Sequence, residues 1–106
     1  MTIARKVNLA EKFGQFSDHW APKVVGQLNG QEIKLAKFQG EFIWHRHDDA
    51  DELFLVQKGS IKIELRDGTV TLDEGEFFIV PRGVEHKPVA DNEAEVLAAI
   101  EASFRP

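Results

Sequence analysis

Three histidines and one glutamate have the residue types and the spacing of a metal site: His45, His47, Glu52 and His86. In an extended strand, residues i and i+2 project from the same face, so His45 and His47 could direct both imidazoles toward one point. Glu52 follows a polar loop and opens the next apolar run, so an antiparallel return would bring its carboxylate back beside the two histidines. His86 follows a second reversal that contains proline and glycine.

This set of ligands would favour a transition metal. Three neutral imidazoles and one carboxylate suit Fe, Mn, Co, Ni, Cu or Zn, whereas Ca and Mg prefer oxygen ligands. The sequence has no cysteine, which excludes thiolate ligands, disulfides and thiol catalysis. A six-coordinate ion held by four side chains keeps two positions for water, oxygen or substrate. We expect one divalent transition-metal ion, and the alternative is that these polar residues line an interior without metal.

The elements that must position these residues are short strands. From Val24 onward, apolar runs are cut by Gly, Pro, Asn and Asp about every ten residues, as in all-β sandwiches and barrels. Asn29-Gly30 and Asp67-Gly68 suit tight hairpin turns, because these residue types accept a positive φ. Residues 94–101 are rich in Ala and Glu and have some helical propensity, but we predict a strand there. The predicted strands are 24–28, 33–38, 41–47, 52–57, 60–66, 69–72, 77–80, 86–89 and 94–101.

The segment before these strands is the least regular part of the chain. Asn8 could cap a short helical turn over residues 9–13, with Glu11 reaching back and Gly14 ending it. The alternative is an irregular arm across the barrel wall, anchored by Leu9, Phe13, Phe16 and Trp20. His19, the remaining histidine, is interpreted as a surface or packing residue.

The spacing of the candidate ligands resembles a known pattern. Gly40-x4-His45-x-His47-x4-Glu52-x6-Gly59, followed by Gly75-x5-Pro81-x-Gly83-x2-His86, is similar to the paired motifs of the cupin superfamily. The likeness extends from Gly40 to about Ala90, half of the chain. The first motif has one residue fewer than usual between Gly40 and His45, and Ala90 stands where the second often ends in Asn. Neither difference affects a candidate ligand.

The resemblance implies an all-β fold: a double-stranded antiparallel β-helix, or jelly-roll barrel, with the ion near one mouth. The expected organisation is a single small metal-binding domain over residues 1–106, with an N-terminal arm over 1–23 and a barrel over 24–101. One domain also agrees with the length of the chain.

Composition and charge narrow the range of partners. Thirteen basic residues are scattered and outnumbered by 18 acidic ones, which disfavours nucleic acid. No apolar run approaches the roughly 20 residues that cross a bilayer, and the first residues lack the apolar core of a secretion signal. We therefore expect no membrane partner and a cytoplasmic location.

The strand patterns also predict an oligomer. If residues 41–47 form a strand, Phe42, Trp44 and Arg46 share its outer face, which exposes two large aromatic rings. The segments 53–56 and 77–80 are apolar on both faces, so a second layer should cover them, formed by the arm or by another subunit. We predict a homodimer.

Other charged residues near the ligands are less informative. The acidic loop 48–51 is interpreted as a solvated turn rather than a second cation site. Arg82, Glu85 and Lys87 flank His86 and could contact a substrate, although alternating charges beside a turn commonly face solvent.

Three functions are consistent with this sequence. The first, which we favour slightly, is an enzyme that uses the ion as a Lewis acid or oxygen-binding centre, in the manner of an oxygenase or isomerase, on a small polar or aromatic molecule. The second is a non-catalytic module that binds or senses a small molecule, and the third is a purely structural ion. Fold does not decide among them, and no catalytic acid or base is identified. The inner positions Phe38, Phe54 and Val56 predict a partly apolar pocket.

Overall fold

A computed structural model describes residues 5–101, and in that range the chain forms one short helix and seven strands. Residues 1–4 of the predicted arm and residues 102–106 of the predicted domain lie outside the described residues. The elements are α1 (Leu9–Phe13), β1 (Lys23–Leu28), β2 (Gln31–Glu41), β3 (Glu52–Lys58), β4 (Ile61–Leu65), β5 (Gly68–Leu72), β6 (Phe77–Val80) and β7 (His86–Glu101).

Strand β7 joins the two halves of the barrel. Along one edge it pairs antiparallel with β2, and along its other edge the first residues pair with β4 and the later ones with β3. One sheet therefore has the order β1-β2-β7-β3-β6, while β4 and β5 extend the start of β7 on the other side. Every pairing between these strands is antiparallel. The predicted all-β double-stranded antiparallel β-helix is confirmed.

An irregularity in the pairing of β2 with β7 lets both strands take part in both halves of the barrel. Phe38 pairs with Ala94 and Gly40 pairs with Ala90, so the register shifts by two residues between neighbouring pairs. Gly40 has φ +82°, a conformation that glycine adopts without steric cost. Bulges of this kind bend a strand and raise its twist. The bend turns the chain from one sheet into the other.

Two strand predictions were wrong because of this irregularity. Residues 41–47 are not a strand: β2 continues through Gly40 to Glu41, and the following residues are irregular except for one isolated bridge between His45 and His86. The predicted strands 86–89 and 94–101 are the two ends of a single β7. The Asp and Asn between them suggested a turn, but they are exposed residues of the bulged region.

The two predicted hairpin turns have different outcomes. Asn29 (φ 50°) and Gly30 (φ 79°) both have positive φ, as a type I′ turn requires. The second hairpin lies at the predicted place, but its turn residues are Arg66 and Asp67, because Gly68 already pairs with Leu65. Neither Asp67 nor Gly68 has a positive φ, so the conformation predicted for that turn was wrong.

The N-terminal segment combines both structures considered for it. The Asn8 side chain accepts a 3.0 Å hydrogen bond from the Glu11 backbone N–H, which caps α1 as predicted, and Gly14 is the C-cap. Phe13 is 1% exposed and anchors the segment on the barrel. No helix among residues 5–101 is long and apolar enough to cross a membrane. The core lies inside the barrel and comprises Ala36, Phe38, Phe54, Val56, Ile61, Ile63, Leu72, Val80, Ala90, Ala94 and Val96.

We predict that Gly59→Ala destabilises the protein more than Gly75→Ala. Both glycines have positive φ (+88° and +82°), so alanine carries a backbone cost of about 1–2 kcal/mol at either position. At Gly59 the new Cβ would also lie 3.1 Å from the Glu93 carbonyl oxygen and 3.2 Å from Ala94 Cα, whereas Gly75 has open space. Urea unfolding should show an additional loss of about 1 kcal/mol or more at Gly59. Equal losses would contradict the close approach.

Candidate metal centre

Backbone hydrogen bonds bring the four predicted ligands together. His45 N–H donates to the His86 carbonyl (3.0 Å), and His86 N–H donates to the His45 carbonyl (2.9 Å), which fixes the two residues opposite each other. The His47 carbonyl accepts a 2.8 Å bond from Gly83 N–H, which ties the loop before β3 to the turn before β7. Glu52 is the first residue of β3 and pairs with Val80 of β6.

The ligand atoms of these residues converge inside the barrel. One ligand atom from each of His45, His47, Glu52 and His86 lies within 4.8 Å of the others. The Glu52 Oε1 atom is 3.2 Å from His47 Nε2 and 3.6 Å from His86 Nε2. Glu52 therefore turns inward, and its side chain is 14% exposed. His86 is on the same side and is 1% exposed.

Backbone carbonyls fix the orientation of two of the imidazoles. His45 Nδ1 lies 2.9 Å from the Ile43 carbonyl oxygen, and His86 Nδ1 lies 2.9 Å from the Val84 carbonyl oxygen. A carbonyl only accepts, so each Nδ1 must carry the hydrogen. In the neutral ring, Nε2 then has a lone pair available for a cation. A hydrogen bond at the other ring nitrogen is the usual way that a metal-binding histidine is oriented.

Two buried acceptors face each other in this cluster. Glu52 Oε1 and His86 Nε2 are both inaccessible to solvent and make no hydrogen bond of good geometry. An unsatisfied buried polar group costs about 1–3 kcal/mol, and two acceptors 3.6 Å apart also repel each other. A cation between them removes both penalties. The donor set therefore fits a divalent metal ion on structural grounds as well as by ligand type.

The protonation states also suit a cation. Burial alone would raise the pKa of Glu52, but its interactions with the His47 and His86 rings, wherever these carry a proton, outweigh burial and lower the pKa to about 2. For His45, burial lowers the pKa, and the nearby His86 and His47 act in the same direction, against the hydrogen bond to Ile43. An ionised carboxylate and a neutral imidazole are the forms that bind metal.

A mostly apolar cavity of about 110 Å³ adjoins the cluster. Two of the candidate ligands, His45 and Glu52, form part of its wall, so the cluster is accessible from this side. The remaining lining residues are Trp20, Pro22, Lys34, Ala36, Phe38, Phe42, Phe54, Pro88 and Ala98. Of the predicted apolar inner positions, Phe38 and Phe54 line the cavity, whereas Val56 belongs to the buried core.

The predicted outer face of residues 41–47 was wrong. Phe42 stacks on Trp20 with ring centroids 4.9 Å apart and lines the cavity, rather than facing away from the histidines. Trp44 carries the Arg66 guanidinium 3.7 Å above its ring. The side chains do not alternate strictly between two faces, because the segment is not a strand. Arg46 does point outward, where it forms an ion pair with Asp48 (2.8 Å).

The other charged candidates lie outside the cluster. His19 is exposed and pairs with Glu93 (2.7 Å), in agreement with a surface role. In the acidic loop, Asp51 accepts a hydrogen bond from Arg82 N–H (2.8 Å), and the buried Ala50 holds the loop against the barrel. These pairings agree with a structural turn rather than a second cation site.

The remaining residues that flank His86 are engaged with other strands. Glu85 lies 3.3 Å from Arg66, and Lys87 pairs with Glu41 (2.7 Å) and Glu64 (3.4 Å). Neither Glu85 nor Lys87 lines the cavity.

Lys34 is a cavity residue that the sequence interpretation missed. It lies on β2 and shares one face of that strand with Ala36 and Phe38, because residues i, i+2 and i+4 point to the same side. Since Phe38 was predicted to point inward, the same alternation could have placed Lys34 inside. A lysine is usually assumed to be exposed, which is why the pattern was overlooked.

The fold and the site define a cupin. The family model described as "Cupin domain" matches residues 30–100, most of the chain, and the chain belongs to this family. Among curated proteins it is similar to the uncharacterized protein YdbB of Bacillus subtilis (strain 168), with 34% identity over 88 residues, covering 82% of this chain and 70% of YdbB.

Solved structures agree with this assignment. A cupin-2 domain containing protein from Shewanella frigidimarina matches with a TM-score of 0.86 and 43% identity, over 88% of this chain and 91% of that one. Protein NMB1881 from Neisseria meningitidis matches with a TM-score of 0.82 and 28% identity, over 92% and 98% of the two chains.

We predict that Fe(II), Mn, Co, Ni or Zn added to metal-free protein raises its thermal unfolding midpoint. At 100 times the Kd, a ligand that binds only the native state stabilises it by about 2.7 kcal/mol. Glu52→Gln should lose this stabilisation. Its metal-free form should be at least as stable as wild type, because the amide can donate to His86 Nε2 and the facing acceptors are removed.

The matched control is Glu41→Gln, which changes an exposed glutamate outside the cluster. Differential scanning calorimetry of the three proteins with and without metal checks the prediction. A Glu52→Gln variant that keeps the full metal-dependent shift would contradict the assignment of Glu52 as a ligand.

Proposed function

We propose that this cupin is a metal-dependent enzyme, an oxygenase, isomerase or related activity, that acts on a small molecule. One divalent transition-metal ion would be held by His45, His47, Glu52 and His86. The observation that carries the proposal is the pair of facing buried acceptors, Glu52 Oε1 and His86 Nε2, directly beside an open cavity. A site that served stability alone would not need access from a cavity.

The chain's own residues would bind and orient the substrate. A bound transition metal supplies Lewis acidity or an oxygen-binding centre. His45 and Glu52 are shared between the cluster and the cavity wall, so a molecule in the cavity lies next to the ion site. Phe38, Phe42 and Phe54 exclude water from the remaining wall, and exclusion of water strengthens electrostatic interactions with the substrate.

The alternative is a module that binds a small molecule without altering it. Among the described residues that line the cavity, the ionisable groups are Lys34 and the two candidate ligands His45 and Glu52. If the protein is an enzyme, this scarcity of acid–base groups favours chemistry at the metal. A protein that only binds a small molecule would have equally few acid–base groups in its cavity.

We predict turnover by metal-reconstituted protein with at least one of Fe(II), Mn, Co, Ni or Zn and a panel of small aromatic and polar molecules. NMR of the mixtures and an oxygen electrode would detect it. His45→Ala should lower the rate at least about 100-fold, since even outer-shell partners of a metal are worth 10–100-fold. His19→Ala, an exposed histidine, should leave it unchanged. Ligands that bind tightly and are recovered unchanged with every metal would favour the binding module.

We also propose a homodimer that forms through the outer face of the five-stranded sheet. In one row across the sheet the register aligns Leu35, Leu97, Leu55 and Phe77, and in another it aligns Ile33, Ala99, Leu53 and Ile79. Leu35 is fully buried at the β2 side, but at the β6 side Phe77 is 61% and Ile79 46% exposed. The apolar surface is therefore continuous across the sheet but exposed at its β6 side. An exposed apolar surface of this kind supports contact with a second copy of the chain there.

We expect light scattering at about 10 μM to give close to twice the chain mass, because a dimer with a Kd of about 1 μM or below is mostly formed at that concentration. Phe77→Glu should yield a monomer that keeps its metal-dependent stabilisation. Val24→Glu is the control, because Val24 is comparably exposed (53%) on the edge strand β1, far from β6 in the sheet order. A monomeric mass for wild type would rule out the dimer.

A further inference from the structure

We propose that the cavity recognises small monocarboxylates with an apolar body about the size of one ring, and that Lys34 binds the carboxylate. This inference rests on the proposed function and names the substrate class for the same site. Lys34 and the aromatic rings of the cavity wall carry the argument.

Lys34 provides the cavity with a positive charge from an inward-facing position. The register of the sheet places it in one row with Ala98 of β7 and Phe54 of β3, and both of these also line the cavity. Its side chain is 26% exposed, and its ammonium lies 3.6 Å from the Glu32 carboxylate, two residues away on the same strand face. This N–O distance is longer than that of a charged hydrogen bond. The Lys34 ammonium has three N–H donors, and the pairing with Glu32 does not use all of them.

Lys34 and the metal cluster lie toward different sides of the cavity. Lys34 is on β2 and Glu52 is on β3, with β7 between them. Two strand spacings correspond to roughly 10 Å between their backbones. A molecule whose carboxylate pairs with Lys34 would therefore extend its body along the apolar wall toward His45 and Glu52. A single ammonium matches the charge of one carboxylate better than that of a phosphate dianion.

The aromatic part of the wall is held in a fixed position. Trp20 lies between Phe38 and Phe42, with ring centroids 4.3 Å and 4.9 Å away and nearly parallel planes. Its backbone has φ 59°, which is uncommon for a bulky residue and costs about 1–3 kcal/mol. Hydrogen bonds from Trp20 N–H to the Lys37 carbonyl and from its Nε1–H to the Gln39 carbonyl, both 2.9 Å, maintain this conformation. The wall is therefore a rigid apolar surface suited to a flat or compact body.

The size of the cavity sets the size of that body. Its volume of about 110 Å³ is somewhat below the roughly 150 Å³ of an engineered apolar cavity that holds benzene. Because this cavity opens to the outside, the enclosed part of a ligand corresponds to about one ring or a short branched chain.

The test compares three acids with their neutral amides: benzoate, phenylacetate and 3-phenylpropanoate against the corresponding carboxamides. Binding is measured by NMR titration of the metal-free protein, in which a carboxylate gains nothing from an ion. In wild type, at least one acid should bind about tenfold more tightly than its amide, a difference of one power of ten in Kd. In Lys34→Met this preference should disappear while the affinity for the amide stays within about twofold.

Lys62→Met is the matched control, because Lys62 also forms a 3.6 Å ion pair, with Asp91, but does not line this cavity. It should keep the preference for the acid. A wild-type protein that does not distinguish acids from amides, or a preference that persists in Lys34→Met, would overturn the inference.

The test of carboxylate binding can fail or succeed independently of the test of the proposed metal-dependent activity. Lys34→Met should retain the metal-dependent rise in the unfolding midpoint, because it does not contribute to the cluster. A Lys34-dependent preference for acids without turnover would support the carboxylate site and contradict the proposed enzymatic activity. Turnover of neutral molecules without any preference for acids would support the enzymatic activity and contradict the carboxylate site.

Discussion

The repulsion between Glu52 Oε1 and His86 Nε2 is the constraint on which the site depends. Both atoms are buried acceptors without a good hydrogen bond, and the sheet holds them 3.6 Å apart. The backbone fixes the positions of the two residues, because Glu52 begins β3 and His86 begins β7, two strands whose ladders determine where their first residues lie. A cation between the two atoms would convert this contact into an attractive one. Metal binding would therefore stabilise the fold through the same two atoms.

The bulge between β2 and β7 makes this arrangement possible. Because the register shifts between Phe38 and Gly40, β7 pairs with β3 in one half and with β4 in the other. The candidate ligands Glu52 and His86 thus lie on strands that are distant in sequence but paired with each other, β3 and β7. Lys34 belongs to the same framework, since β2 pairs with β7 along most of its length. Lys34, Glu52 and His86 therefore belong to one continuous sheet, to which His45 is joined by an isolated bridge.

The sequence predicted the fold class and the convergence of the four candidate ligands, and it offered the short helix as one of two alternatives for the N-terminal segment. These features depend on turn residues, capping and spacing. The sequence did not predict the path of residues 42–47 or the unbroken β7. Gly40 and the Asp91–Asn92 pair have the composition of turns, and a bulge uses the same residue types as a turn. Only the long-range pairing distinguishes the two, and that pairing is a property of the folded sheet. The inward direction of Lys34 followed from alternation but conflicted with the usual exposure of lysine.

The irregular path of residues 42–47 has a chemical consequence for the ligands. His45 Nδ1 donates to the Ile43 carbonyl, and His86 Nδ1 donates to the Val84 carbonyl, in each case two residues earlier. In a regular inner strand, ladder partners would compete for such carbonyls. Both are available because Ile43 and Val84 lie outside the regular strands. The departure from strand geometry therefore leaves each imidazole with its Nε2 lone pair directed at the cluster. The backbone path, rather than the side chains at positions 43 and 84, determines this tautomer.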